Sequence, residues 1–494
     1  MLTRRQLLPA LSPVLLTRSQ AEVTPDLFRF RPEIEPLVAL IERTPREKCA
    51  EMAVEQLRRG VSYRQFLAAL FLAGIRNVNP RPPGFALHCV FIIHSAHLLG
   101  LEAPPDARLL PLFFALDDFK KAQERDAKAA AGDYTMYALT GALPTSEKAA
   151  GELHAAMEAW DQERAERAVV SLARHRSVPE IFDMLWRYAA RDYRNIGHKA
   201  IYTANAIRTL HTIGEQHAEP VLRSLVLSLL DFGKDRKVNG YAFDDQSYHG
   251  NLKRSSETFS RLHASWMDQR SDPDTVRSIL DGIREAPLDE VCADVSTRLV
   301  KGQATAGSVW DAVHLASAEL RMRAPSRSTI VGIHTVTSAN GLRHCYLQTA
   351  NPQTRYLILL QAVGWMAQFR TLLATGADAP RNFAITQLEP AAESNPLSSV
   401  PGNLDSAAAQ VLKLAGDQRA RDSFQTEAVR LIVTKADEVH YFKYLASLIE
   451  DVPLASPTWQ PHLLAATVFY MKGPGAPESA PVRQAREALR SLRA

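Results

Sequence analysis

Cysteine is scarce in this 494-residue chain, with only Cys49, Cys89, Cys292 and Cys345, far apart and never in a CxxC pair. That excludes a disulfide framework and a zinc ribbon, so any metal here must rest on histidine. An excess of one charge is also missing. Lys and Arg total 58 against 54 Asp and Glu, without a dense basic stripe interleaved with aromatics, which excludes nucleic acid as a partner. Beyond the N-terminus no segment reaches the roughly eighteen uninterrupted apolar residues of a membrane span. P-loop, GxGxxG, HExxH and GxSxG motifs are absent, and with them nucleotide-dependent and serine-hydrolase chemistry. No internal repeat of a helical array stands out.

Alternating strand patterns are nearly absent, and helical signals take their place. Pro220 followed by the apolar run 221–230 and then Gly233 carries both start and stop punctuation. Ser308-Val309-Trp310-Asp311 reads as a capping box opening a helix from Trp310 to Arg321, and Thr354 to Leu373 as a long core helix. Loops are expected at Asn77–Gly84, Asp235–Ser256, Pro380–Asp405 and Gly473–Pro481. With 46% hydrophobic and 23% charged residues, the expectation is an all-α fold, a large multi-helical single domain over 22–494.

The N-terminus, Met1-Leu2-Thr3-Arg4-Arg5-Gln6-Leu7-Leu8, fits a twin-arginine export signal, and Ser19-Gln20-Ala21 offers small residues at a cleavage site. Residues 1–21 are therefore expected to direct a soluble protein to the periplasm. Pro9, Pro13 and Arg18 fit the alternative, an N-terminal arm of a cytoplasmic protein.

What the chain does have is histidine in apolar settings. His440 and Lys443 lie three apart on one helix face, and Lys443 is the only formally charged residue between Val439 and Ile449. A buried ammonium must be paired, lose its proton or be modified. Taken alone, His440 also fits a core histidine and Lys443 a snorkelling lysine. His88, His198 and His334 have similarly apolar neighbours, and together the four segments suggest a metal site. Since they span residues 88 to 440, one large domain must bring them together. His88, His94 and His97 fall on different faces at about 100° per residue, so they cannot all bind one metal. From His198, a polar stripe of Tyr202, Asn205 and Thr209 suggests a lined cavity or a solvent-facing face, and Thr335, Thr337 and Ser338 could cap a helix running on through Leu342 or donate hydrogen bonds that support a ligand. His314 and Glu319 point apart, and His249 belongs to a polar loop that could form a lid.

With these residues laid out, the chain resembles the questin oxidase-like family over about residues 80 to 475. The motifs are His88 leading to Leu99-Gly100, His198-Lys199-Ala200-Ile201, His334-Thr335-Val336-Thr337-Ser338, and Asp437 through His440 to Lys443. The resemblance implies a non-haem iron(II) held by His88, His198, His334 and His440 with a carboxylated Lys443. It also implies oxidative cleavage of an anthraquinone-type aromatic polyketide by dioxygen. A neutral, desolvated Lys443 amine could add carbon dioxide to give a carbamate, leaving about one position of an octahedral iron open. Leu87 stands where the family usually has Asn, and Tyr202 where it often has a second histidine, which bears on the substrate more than on the metal. Lys443 and Tyr202 are the candidate catalytic residues, with Tyr202, Trp310, Tyr441 and Phe442 expected to line the cavity. Two other readings compete. A helical binding scaffold with packed histidines would hold no metal and tolerate Lys443→Met. A hydrolase whose carboxylated lysine bridges two metals would need further carboxylates.

Overall fold

The helix His88–Glu102 carries no formal charge before its last residue, so it has no polar face to offer water and is buried nearly all round. In the computed structural model, which describes residues 26–129, 134–231, 243–376, 378–392 and 395–490, helices of this kind form the interior and amphipathic ones the periphery. No strand occurs among the described residues apart from an isolated bridge between Leu27 and Tyr137. One continuous core of buried side chains extends from Phe30 to Ala488, and the fold is all-α. The expected signal segment, 1–21, lies outside the described residues.

Four helices position the site: His88–Glu102, His198–Ile213, Thr329–Gln348 and Val439–Asp451. We call them the His88, His198, His334 and His440 helices. The His88 helix packs on the His198 and His440 helices, and the His334 helix packs on the same two, closing a ring of four. Each carries its histidine at or near its N-terminus. The four therefore lead away from one point in a common direction, an arrangement short hairpins cannot make. The intervening chain must return each time, which is why the ligand candidates are so far apart in sequence.

The long apolar helix runs from Pro352 to Ala374, capped by Asn351, whose side chain accepts from the backbone N–H of Gln353 and Thr354. It is long and apolar enough to cross a membrane, yet 78% of its apolar window is buried inside the protein. The helix expected after Pro220 spans Ala218–Leu229, and Gly233 lies outside the described residues. The helix expected from Trp310 starts earlier, at Ala306. Its cap is Thr305, which accepts from Ser308 N at 3.3 Å, while Ser308 Oγ accepts from Asp272 N instead.

Two expectations fail for the same reason, polar residues used inside the protein. The expected loop Asp235–Ser256 is helical from Phe243 onward, within Phe243–Thr258, and His249 is half-buried on that helix. Its buried stripe pairs with the core helix, Ser247 with Gln368 at 3.0 Å and Asn251 with Gln361 at 2.9 Å. Gly364 permits the contact, since a Cβ there would meet Ser247 Cβ at 3.0 Å. Likewise His334 does not precede a capped helix but sits inside Thr329–Gln348. Thr335, Thr337 and Ser338 donate to backbone carbonyls, Thr335 Oγ1 to Ser317 O at 2.6 Å.

Candidate metal centre

His198 opens its helix after three consecutive residues with positive φ, Asn195 at 54°, Ile196 at 51° and Gly197 at 84°. Such a turn strains a β-branched residue and needs glycine at its end, where a Cβ would strike Ser338 Cβ at 2.6 Å. It turns the Asn195 carbonyl back onto His198 Nδ1, which donates to it. In the His334 helix, Nδ1 of His334 donates to Ile330 O, one turn earlier, at 2.7 Å. At the start of the His440 helix, Glu438 is the N-cap. It accepts from His440 N at 3.1 Å and from His440 Nδ1 at 2.6 Å, and it is held in turn by the Tyr470 hydroxyl at 2.6 Å.

These contacts fix the tautomers. A carbonyl or carboxylate oxygen only accepts, so Nδ1 carries the proton in all three rings and Nε2 carries a lone pair. The lone pairs point inward. His198 Nε2 is 3.0 Å from His334 Nε2 and 2.8 Å from His88 Nε2, and His440 Nε2 is buried with no partner. Candidate ligand nitrogens of His88, His334 and His440 all lie within 4.8 Å of one another, a group that does not include His198. If His88 donates to His198, the His198 and His334 lone pairs still face each other. Protonating the rings does not serve, because burial, with the Lys443 charge and the neighbouring rings adding to it, holds His88, His198 and His334 well below the usual imidazole range.

The facing lone pairs of His198 and His334 offer two donor atoms to a cation. No family model, no curated protein and no solved structure matches the chain.

Lys443 lies one turn beyond His440, 2% exposed, and its Nζ has no hydrogen-bond partner. Its Nζ lies 5.6 Å from the centre of the Phe91 ring. Burial draws the ammonium down to about 7, opposed by Glu438 and Asp118. Asp118 comes from the helix Leu110–Asp126, and burial raises its own carboxyl to about 6 against the pull of Arg125 and Lys121.

The other expected residues stand apart. The Tyr202 hydroxyl donates to Ser224 Oγ at 2.8 Å, and its ring lies on Phe91, which itself adjoins His198. Trp310 packs against His314 and Tyr346, Tyr441 stacks on Tyr470, and Phe442 stacks on Phe114. The four aromatics face different neighbours. His94 pairs with Glu450 at 2.8 Å and His97 with the Tyr63 hydroxyl at 3.3 Å, so of the three histidines on that helix only His88 enters the centre. His314 and Glu319 do point apart, to Asp451 and to Arg284. The supporting groups, Asn195 O, Ile330 O, Glu438, Tyr470 and Asp118, escaped the sequence. Only Glu438 had a legible signal, an acidic N-cap two residues before a histidine.

Proposed function

We propose that His88, His198, His334, His440 and Lys443 hold one non-haem iron(II) ion, and that the protein is an oxygenase of an aromatic, polyketide-like molecule. The observation that carries the metal is the set of inward Nε2 lone pairs with no proton to share. Iron as the metal, dioxygen as the oxidant and cleavage of an aromatic ring as the outcome rest on the resemblance of the four motifs.

When bound, iron(II) supplies the electrons that let dioxygen react with a closed-shell organic molecule. The chain's part is to hold and to shield. Glu438 and the Asn195 and Ile330 carbonyls keep the three rings in the ligand tautomer and aim them. Four neutral imidazoles leave an iron(II) ion with its full charge in a dry interior. Lys443 offers the remedy. Its unpartnered amine, once carboxylated by carbon dioxide, becomes an anionic oxygen ligand and no longer buries an ammonium. Helix N-termini converging on the same point favour that anion further.

Elemental analysis of protein purified without a metal-affinity column tests the proposal. About one iron per chain, lost in His440→Ala and Lys443→Ala, is the expected result, followed by dioxygen uptake in a screen of aromatic substrates. A folded wild type that holds no metal and refuses added iron(II) would leave the histidines as packing and the protein as a binding scaffold.

A further inference from the structure

The same four helices that meet at the histidine ring also enclose a narrow cleft farther along their common direction. Each contributes residues one to three turns beyond its histidine: His94, Asn205, Asn340, and Ser447 with Glu450. Lys443 lines its buried end, and Glu450, with a side chain 22% exposed, its outer end. The cleft thus continues the axis of the ring, with Lys443 between the two.

Its dimensions and lining decide what it admits. The free space holds about one water molecule, so no aromatic substrate fits. The walls are polar and joined by hydrogen bonds: Asn340 donates to Glu450 at 3.1 Å, Arg208 donates to Asn340 at 2.9 Å, and Arg208 pairs with Glu450 at 3.0 Å. The Phe91 ring lies 5.6 Å from the amine and adjoins the His88 and His198 imidazoles. A slim polar approach to Lys443 therefore leads in from the Glu450 side.

We infer that this cleft is the loading channel of Lys443, admitting carbon dioxide end-on and carrying away the proton that carboxylation releases. The inference rests on the carbamate proposed above. In the step, the Nζ lone pair forms a bond to the carbon of carbon dioxide and an N–H bond breaks. The electron pair of that bond stays on nitrogen, the negative charge resides on the new carboxylate, and the proton passes through cleft water to the Glu450 and His94 pair at the mouth. Nothing is oxidised or reduced.

The test follows the Lys443 carbamate by carbon-13 NMR after mixing the protein with labelled carbon dioxide, metal-free and loaded with zinc(II), which is diamagnetic. Ser447→Leu, which fills the cleft, is expected to slow the build-up about tenfold while leaving the final occupancy unchanged, and Ser447→Ala to build up at least as fast as wild type. Should the leucine variant fail to fold, Glu450→Gln, which keeps the shape and removes the carboxylate, is expected to slow the build-up as well. Equal rates in all folded variants would overturn the channel and leave the carbamate standing. A wild type lacking any signal that Lys443→Met abolishes would instead overturn the carbamate, and the channel with it.

Discussion

The four converging helices carry two polar regions a few turns apart, and the same residue type behaves oppositely in them. In the outer region His94 faces Glu450, and Glu450 also takes Arg208 and Asn340. In the inner region His198 faces His334, and His440 Nε2 and Lys443 Nζ face nothing that can answer them. The inner region is buried and the outer one half-buried. Histidine in an apolar helix is therefore uninformative until the partners of both ring nitrogens are known. A ring whose Nδ1 proton is taken and whose Nε2 lone pair meets another lone pair is shaped to receive a cation.

Substitutions should separate the two regions. The largest effect is expected from Lys443→Met, which should abolish stoichiometric metal while raising the stability of the metal-free protein by about 1–3 kcal/mol, since an orphan buried amine is replaced by apolar volume. Elemental analysis and urea unfolding read the two signs; retained metal would show that Lys443 is not a ligand. Glu438→Gln should weaken metal binding by about 10- to 100-fold without emptying the site, because it loosens the His440 tautomer. Competition with a chelator measures this. His94→Ala, by contrast, should keep full metal content and lower stability by about 1–3 kcal/mol, the penalty of leaving Glu450 one donor short.

A pH dependence is also expected in the outer region. Asp451 contacts Asn340 and His314, with Glu450, Arg208 and Arg343 acting at longer range, and burial raises its carboxyl from 3.8 to about 8. Burial likewise holds His314 down to about 3, with the Arg343 charge adding to it, so it offers no cation. A raised carboxyl pKa means the folded state holds a proton that the unfolded chain has released. The stability contribution of Asp451 is thus complete below about pH 4 and declines as pH rises toward 8. Asp451→Asn should match wild type in acid and exceed it progressively toward pH 8 in urea unfolding. Parallel curves would show Asp451 to be ionised and paired in the fold.

How much of this could be read from the sequence divides along similar lines. Long apolar helices and the four histidine segments were legible, because helical spacing and the lack of charge are local properties. Phe243–Thr258 was not, because its buried serine and asparagine meet glutamines more than a hundred residues away. The aromatic lining expected of Tyr202, Trp310, Tyr441 and Phe442 likewise depended on directions that only packing sets. Most hidden of all were the carbonyls of Asn195 and Ile330, since a backbone oxygen has no letter in the sequence.

The left-handed turn before His198 bears on anyone who would transplant this centre. Four histidines and a lysine can be written onto any bundle of helices, but the proton on His198 Nδ1 is anchored by main chain. That anchor exists only where Gly197 lets two helices close to within a methyl group of each other. A graft of the five side chains alone would leave His198 free to choose its tautomer. The portable unit is the turn together with its ligand.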